Sequence, residues 1–80
     1  MPTIARIDRY RLFIYSDEGN PREPPHIHVM NGDKVAKVWL APVALAHSKR
    51  FKSGEISHII TIVRDNEATL REAWDAYFRP

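Results

Sequence analysis

The first forty residues break into short runs dominated by Ile, Val, Tyr, Phe and Leu with turn residues between them, whereas apolar positions after Ser53 recur at steps of three and four. The first pattern is that of strands and the second that of an amphipathic helix. Residues 3–7 and 10–15 read as two strands joined by Asp8-Arg9. Residues 26–30 and 34–40 read as two more, joined through Asn31-Gly32, among the strongest short hairpin signals. Between the hairpins, residues 16–25 hold Asp17, Gly19, Asn20 and three prolines, the composition of a loop and the expected mobile segment. Ala41-Pro42 closes the fourth strand, and residues 43–52 fit either a short fifth strand or a helical turn. Ser53 suits an N-cap with Glu55 in the first turn. Ile56, Ile59, Ile60, Val63, Leu70, Trp74 and Tyr77 then form one stripe, read as a single long helix with a kink or break at Asp65-Asn66. The expected fold is α+β: an antiparallel sheet of about four strands in two hairpins, with a long C-terminal helix packed on one face. Residues 1–80 are read as one domain, with sheet over 1–40, a connector over 41–52 and a helical segment over 53–78.

Register turns these strands into surfaces. Side chains alternate along a strand, so His26 and His28 share one face, about 6 to 7 Å apart, while Ile27 and Val29 share the other. With Asn31-Gly32 as a two-residue loop, Met30 pairs with Asp33, His28 with Val35, Ile27 with Ala36 and His26 with Lys37. With Asp8-Arg9 as the other loop, Ile7 pairs with Tyr10, Arg6 with Arg11 and Ala5 with Leu12. One face then gathers Ala5, Ile7, Leu12, Ile14, Ile27, Val29, Ala36, Val38 and Leu40 for the helix. The other gathers Arg6, Arg11, Phe13, Tyr15, His26, His28, Lys37 and Trp39. A slip of one residue would mix the two sets. Arginine directly opposite arginine destabilises a sheet pair in isolation, and an anionic partner relieves it. One helix covers one face only, so the second face is expected to be wet, paired with another copy, or bound to something else.

Length and composition narrow the classes. Eighty residues bury a modest share of their unfolded surface, so marginal stability is expected, helped by a dimer or a partner. The lack of cysteine excludes disulfides, a thiol nucleophile and Cys-based zinc sites, and fits a reducing compartment, by default the cytoplasm. No apolar run reaches the length of a membrane span, and no basic and apolar leader opens the chain, so no membrane partner is expected. The net charge of +2 is unevenly spread: residues 1–52 carry nine Lys/Arg against five Asp/Glu, residues 53–80 three against five. The basic excess therefore belongs to the sheet and its loops, and the run Lys49-Arg50-Phe51-Lys52 reads as a solvated loop.

Several chemistries fit the histidine face. As metal ligands, His26 and His28 need at least a third donor, for which Glu23, His47 and His58 are the candidates, none at a diagnostic spacing. No cofactor is otherwise indicated. As a catalytic pair, one imidazole would take a 2′-hydroxyl proton from RNA and the other protonate the leaving oxygen, with Lys37 and the arginines holding the phosphate and no metal required. Basic residues interleaved with aromatics on an open sheet are also what binds single-stranded nucleic acid, cations to phosphates and rings to bases. A homodimer interface uses the same residues, Phe13, Tyr15 and Trp39 as packing and the arginines as rim. A strand histidine is more often structural or merely exposed than catalytic. His47 falls in the basic loop, His58 on the helix surface, and Trp74, Tyr77 and Phe78 read as core. There is no Gly-x-Ser-x-Gly elbow and no phosphate-binding glycine loop, the three glycines being scattered at 19, 32 and 54.

Taken in order, several motifs resemble a family of small bacterial domains of unknown function with a P-P-H-I-H-V signature. They are Met1-Pro2-Thr3-Ile4, Tyr10-Arg11, Phe13-Ile14-Tyr15-Ser16, Glu23-Pro24-Pro25-His26-Ile27-His28-Val29, Ala36-Lys37-Val38-Trp39-Leu40, Pro42-Val43 and Ala73-Trp74-Asp75-Ala76-Tyr77-Phe78. The resemblance covers nearly the whole chain, and the motifs together are far more specific than any one alone. It marks His26, His28, Pro24, Pro25, Lys37, Trp39 and Trp74. It implies a component of a two-gene toxin–antitoxin unit with a small cognate protein partner. The chain departs from the pattern at Asn20-Pro21-Arg22-Glu23, where the loop is expanded, and at Ser53-Gly54-Glu55, where Gly weakens a helix start.

Overall fold

The computed structural model describes residues 3–15 and 23–78. Strands β1 (Thr3–Ile7), β2 (Tyr10–Phe13), β3 (His26–Asn31), β4 (Lys34–Leu40) and β5 (Val43–Lys49) precede helices α1 (Ser53–Asp65) and α2 (Glu67–Phe78). The strands form one antiparallel meander in the order β1-β2-β3-β4-β5. The α+β class and the antiparallel sheet are as the sequence pattern implies, with five strands in place of four and two helices in place of one. Residues 16–22, including most of the expected mobile loop and Asn20-Pro21-Arg22 of its expansion, lie outside the described residues, as do Met1 and Pro2.

The first hairpin has the expected register, Ile7 with Tyr10, Arg6 with Arg11 and Ala5 with Leu12, and its turn places Asp8 at φ 54°. The second hairpin differs. Asn31 extends β3 and pairs with Lys34, so the turn is Gly32-Asp33, with Gly32 at φ 63°. In both hairpins the residue with positive φ is the first of the two in the turn, and glycine meets that demand without a Cβ penalty. Every partner in this hairpin therefore lies two residues from its expected position: His28 faces Lys37 and His26 faces Trp39. A shift of two preserves side-chain parity, so the division into two faces survives.

The fifth strand was ambiguous in sequence because a bulge hides its alternation. Lys37 pairs with His47 and Val38 with Leu45, which leaves Ala46 extra and reverses the parity of β5 at that point. His47 thus lies on a strand opposite Lys37, not in a basic loop, and the connector expected over 41–52 holds an element of the sheet. Phe51 likewise leaves the solvated run: Arg50 at φ 74° turns the chain and Phe51 packs into the core against Tyr10, ring centroids 6.0 Å apart.

Lys52, not Ser53, caps α1; the Glu55 carboxylate accepts the Lys52 backbone N–H at 3.3 Å and meets Lys34 Nζ at 3.2 Å. The helix ends at Asn66, whose side-chain amide donates to the Ile62 carbonyl at 2.8 Å, while the Asn66 carbonyl accepts the Leu70 N–H at 3.0 Å to begin α2. A side chain that competes for backbone partners ends one helix and starts the next. Ile59, Ile62, Val63, Leu70 and Trp74 bury against Leu12, Ile14, Ile27, Val29, Val38 and Leu40. Each such burial contributes about 1.5–3 kcal/mol relative to exposure. Tyr77, expected in this core, is 41% exposed. No described helix is long and apolar enough to cross a membrane.

Candidate anion-binding face of the sheet

Residues directly opposite one another in adjacent strands point to the same face, so the registers arrange the uncovered side in transverse rows. Arg6, Arg11, Met30, Val35 and Lys49 form the first row, nearest the two hairpin turns. Thr3, Phe13, His28, Lys37 and His47 form the second. His26, Trp39 and Ala44 begin the third. All the residues expected on this face from β1 to β4 are found on it, but their exposure is very uneven.

The third row is aromatic packing. His26 has no exposed surface; its ring lies 4.6 Å from Trp74 of α2, 5.1 Å from His28 and 5.6 Å from Trp39, centroid to centroid. Its Nδ1 lies 3.0 Å from the Pro24 carbonyl, an arrangement in which the imidazole N–H donates and the tautomer is set. The adjacent Pro25 carbonyl accepts the Leu40 N–H at 2.9 Å. Two prolines suit this entry because they bring fixed φ and no backbone N–H of their own that would need a partner.

The second row is partly closed. Phe13, expected to be offered to a partner, is 1% exposed, with Tyr15 edge-on at 5.2 Å and His28 stacked at 5.5 Å. Lys37 lies 4.7 Å over the Trp39 ring, and its ammonium meets Glu23 at 2.8 Å. The second-row cation is thus already paired. Glu23, His47 and His58, the candidates for a third metal ligand, are dispersed: Glu23 is engaged by Lys37, His47 sits on β5, and His58 bonds Asp8 at 2.9 Å. Among the described residues no group of three or more His, Asp or Glu is placed to hold a metal ion.

The first row is open. Arg6 is exposed and stands opposite Arg11, whose Nε donates to Thr3 Oγ1 at 2.7 Å and whose guanidinium lies 4.9 Å from the Phe13 ring. Arg9, in the turn between them, was not singled out by the face pattern because turn residues belong to neither face. The three arginines line an open cleft of about 430 Å³ together with Asp8, Met30 and Asn31. Asp8 is the one acid in that lining, and its carboxylate is engaged by His58. Among the described residues no carboxylate pairs with Arg6, Arg9, Arg11 or Lys49.

Such a domain, a five-stranded antiparallel meander with two helices on one face and an arginine cleft on the other, defines a small α+β class. Residues 10–75 match the model of the family described as a domain of unknown function, DUF4160, and the chain belongs to that family. No curated protein and no solved structure matches the chain.

Proposed function

We propose that this protein contacts RNA or another polyanion through the uncovered face of its sheet, with Arg6, Arg9 and Arg11 as the principal cations and the half-buried Tyr15 and Trp39, further along the same face, as aromatic contacts. The observation that carries the reading is the cross-strand pair Arg6 and Arg11. Like charges directly opposite destabilise a sheet, and no described carboxylate offsets them. A bound polyanion supplies that offset. The family resemblance adds a setting, a two-gene toxin–antitoxin unit, in which this chain is the component that engages nucleic acid. Catalysis by His26 and His28 is the less favoured use of the same face, because a general acid must reach its substrate and His26 is enclosed by Trp39, Trp74 and His28.

Fluorescence anisotropy with a labelled oligoribonucleotide at graded salt tests the reading. The expected result is a log–log salt slope of about −0.7 for each phosphate contacted, reduced in Arg6→Ala combined with Arg11→Ala. Binding indifferent to salt and to that double substitution removes the electrostatic basis.

A further inference from the structure

Resting on the polyanion reading, the geometry points to a narrower role for the arginine cleft: it is a site for a phosphomonoester, the doubly charged phosphate at the end of a strand or on a free nucleotide, in preference to an internal phosphodiester. Three observations converge. Arg6 and Arg11 are directly opposed across the β1–β2 pair and Arg9 lies in the turn between them, so three arginines line one small cleft in place of a row of cations spaced along a groove. A compact cluster suits two charges on one group; a string of single charges is served by a spread row.

Arg11 is also held ready. Its Nε is committed to Thr3 Oγ1 at 2.7 Å and its Cζ lies 4.9 Å from the Phe13 ring centroid, two contacts that restrain the side chain and do not use its two terminal nitrogens. A guanidinium immobilised in advance loses less freedom on binding, and its paired N–H groups match two oxygens of one phosphate. Finally, the cleft holds about 430 Å³, within the range of small-molecule sites, and sets the half-buried Met30 and Asn31 beside the arginines. Met30, on the same face as Arg6 and Arg11, is the apolar side chain that a base attached to that phosphate would meet. Asp8 opposes anion entry in charge alone, and its carboxylate is turned to His58 at 2.9 Å.

The test compares two oligoribonucleotides of identical sequence, one with a 5′-phosphate and one with a 5′-hydroxyl, plus a third with a 3′-phosphate, at fixed salt and pH 7.5. At that pH a phosphomonoester is close to fully doubly charged, its second ionisation lying near 6. We expect at least one phosphorylated end to bind five times more tightly than the hydroxyl-ended strand, and adenosine monophosphate to compete where adenosine does not. The arms separate the sources: competition by the mononucleotide without preference between strand ends assigns the site to the free nucleotide. Arg6→Ala and the milder Arg11→Lys should each abolish the preference, with unchanged circular dichroism, whereas Lys49→Ala, outside the cleft, should lower all affinities together and keep it. A preference below fivefold at both ends without competition by the nucleotide overturns this inference while leaving the polyanion reading intact. Absence of any binding to all three strands overturns that reading itself.

Discussion

The indole of Trp74 stands 4.6 Å from the imidazole of His26, centroid to centroid, and so ties the C-terminal helix to the end of the uncovered sheet face. Trp74 is at the same time part of the main core and contacts Phe78 at 4.3 Å. His26 and Trp74, far apart in sequence, are therefore two halves of one packing unit.

Replacing Trp74 with Ala should destabilise the fold by about 3–5 kcal/mol, the usual cost of emptying a large buried aromatic site. In a small domain that is a large share of total stability. Urea denaturation followed by near-UV circular dichroism measures it. His26→Ala should also destabilise, because it removes a buried ring and leaves the Pro24 carbonyl without that donor. A His26→Ala protein of wild-type stability would contradict the packing role assigned to this ring.

Gly32 carries φ 63° at the first position of the β3–β4 turn, and a Cβ there would meet no atom within 4 Å. The cost of Gly32→Ala is thus purely one of backbone conformation, about 1–2 kcal/mol. Gly32→Asn should cost less, since asparagine enters this region more readily. Thermal melts of the two variants are expected to fall in that order, with Ala the lower.

The two sides of the sheet were legible in sequence because side-chain parity tolerates error. The turn signal of the second hairpin implies a register two residues from the one found, yet Ile27, Val29, Ala36, Val38 and Leu40 are all buried on the helix side, and His28 and Lys37 share the other. What failed did so where local pattern is silent. The bulge at Ala46 erased the alternation of β5, Asn66 ended a helix through its own side-chain bond, and Phe51 entered the core only because Arg50 adopts positive φ. Exposure was the least legible quantity. Face assignment places Phe13 and His26 correctly, but only the packing of Tyr15, Trp39 and Trp74 reveals that they are enclosed. Arg9 is not legible as a face residue because a turn residue has no face until the turn geometry is set.

Glu55 is held below the usual carboxylate range, first by accepting the Lys52 backbone N–H and then by its bond to Lys34. A carboxyl whose folded pKa lies below its unfolded value stabilises the fold at pH values above the unfolded one, about 4.3, and loses that contribution as pH falls through the folded value. Glu55→Gln should accordingly lower the melting temperature at pH 6–7 and flatten its fall on acidification below about pH 4.3. Melts of both proteins at steps of half a pH unit, at about 50 mM salt, read the difference between the two acid limbs. Parallel limbs would mean that the carboxylate gains nothing from its cap and ion pair.

Lys37 lies over Trp39 with its ammonium 2.8 Å from Glu23, so one cation of the second row is neutralised in the free protein. Glu23→Gln removes that competing anion while keeping the shape of the side chain. If Lys37 belongs to the polyanion-contacting face, the variant gains one phosphate contact, which corresponds to about fivefold tighter binding of a single-stranded oligoribonucleotide near 0.1 M salt and a slope steeper by about 0.7. The stability lost with a pair that retains solvent contact should stay at or below about 1 kcal/mol. Lys37→Met should eliminate the gain when combined with Glu23→Gln. Titrations of the four proteins at three salt concentrations resolve the slopes, and identical slopes with and without Glu23 would remove Lys37 from the contact surface and confine it to bracing the chain ahead of Pro24.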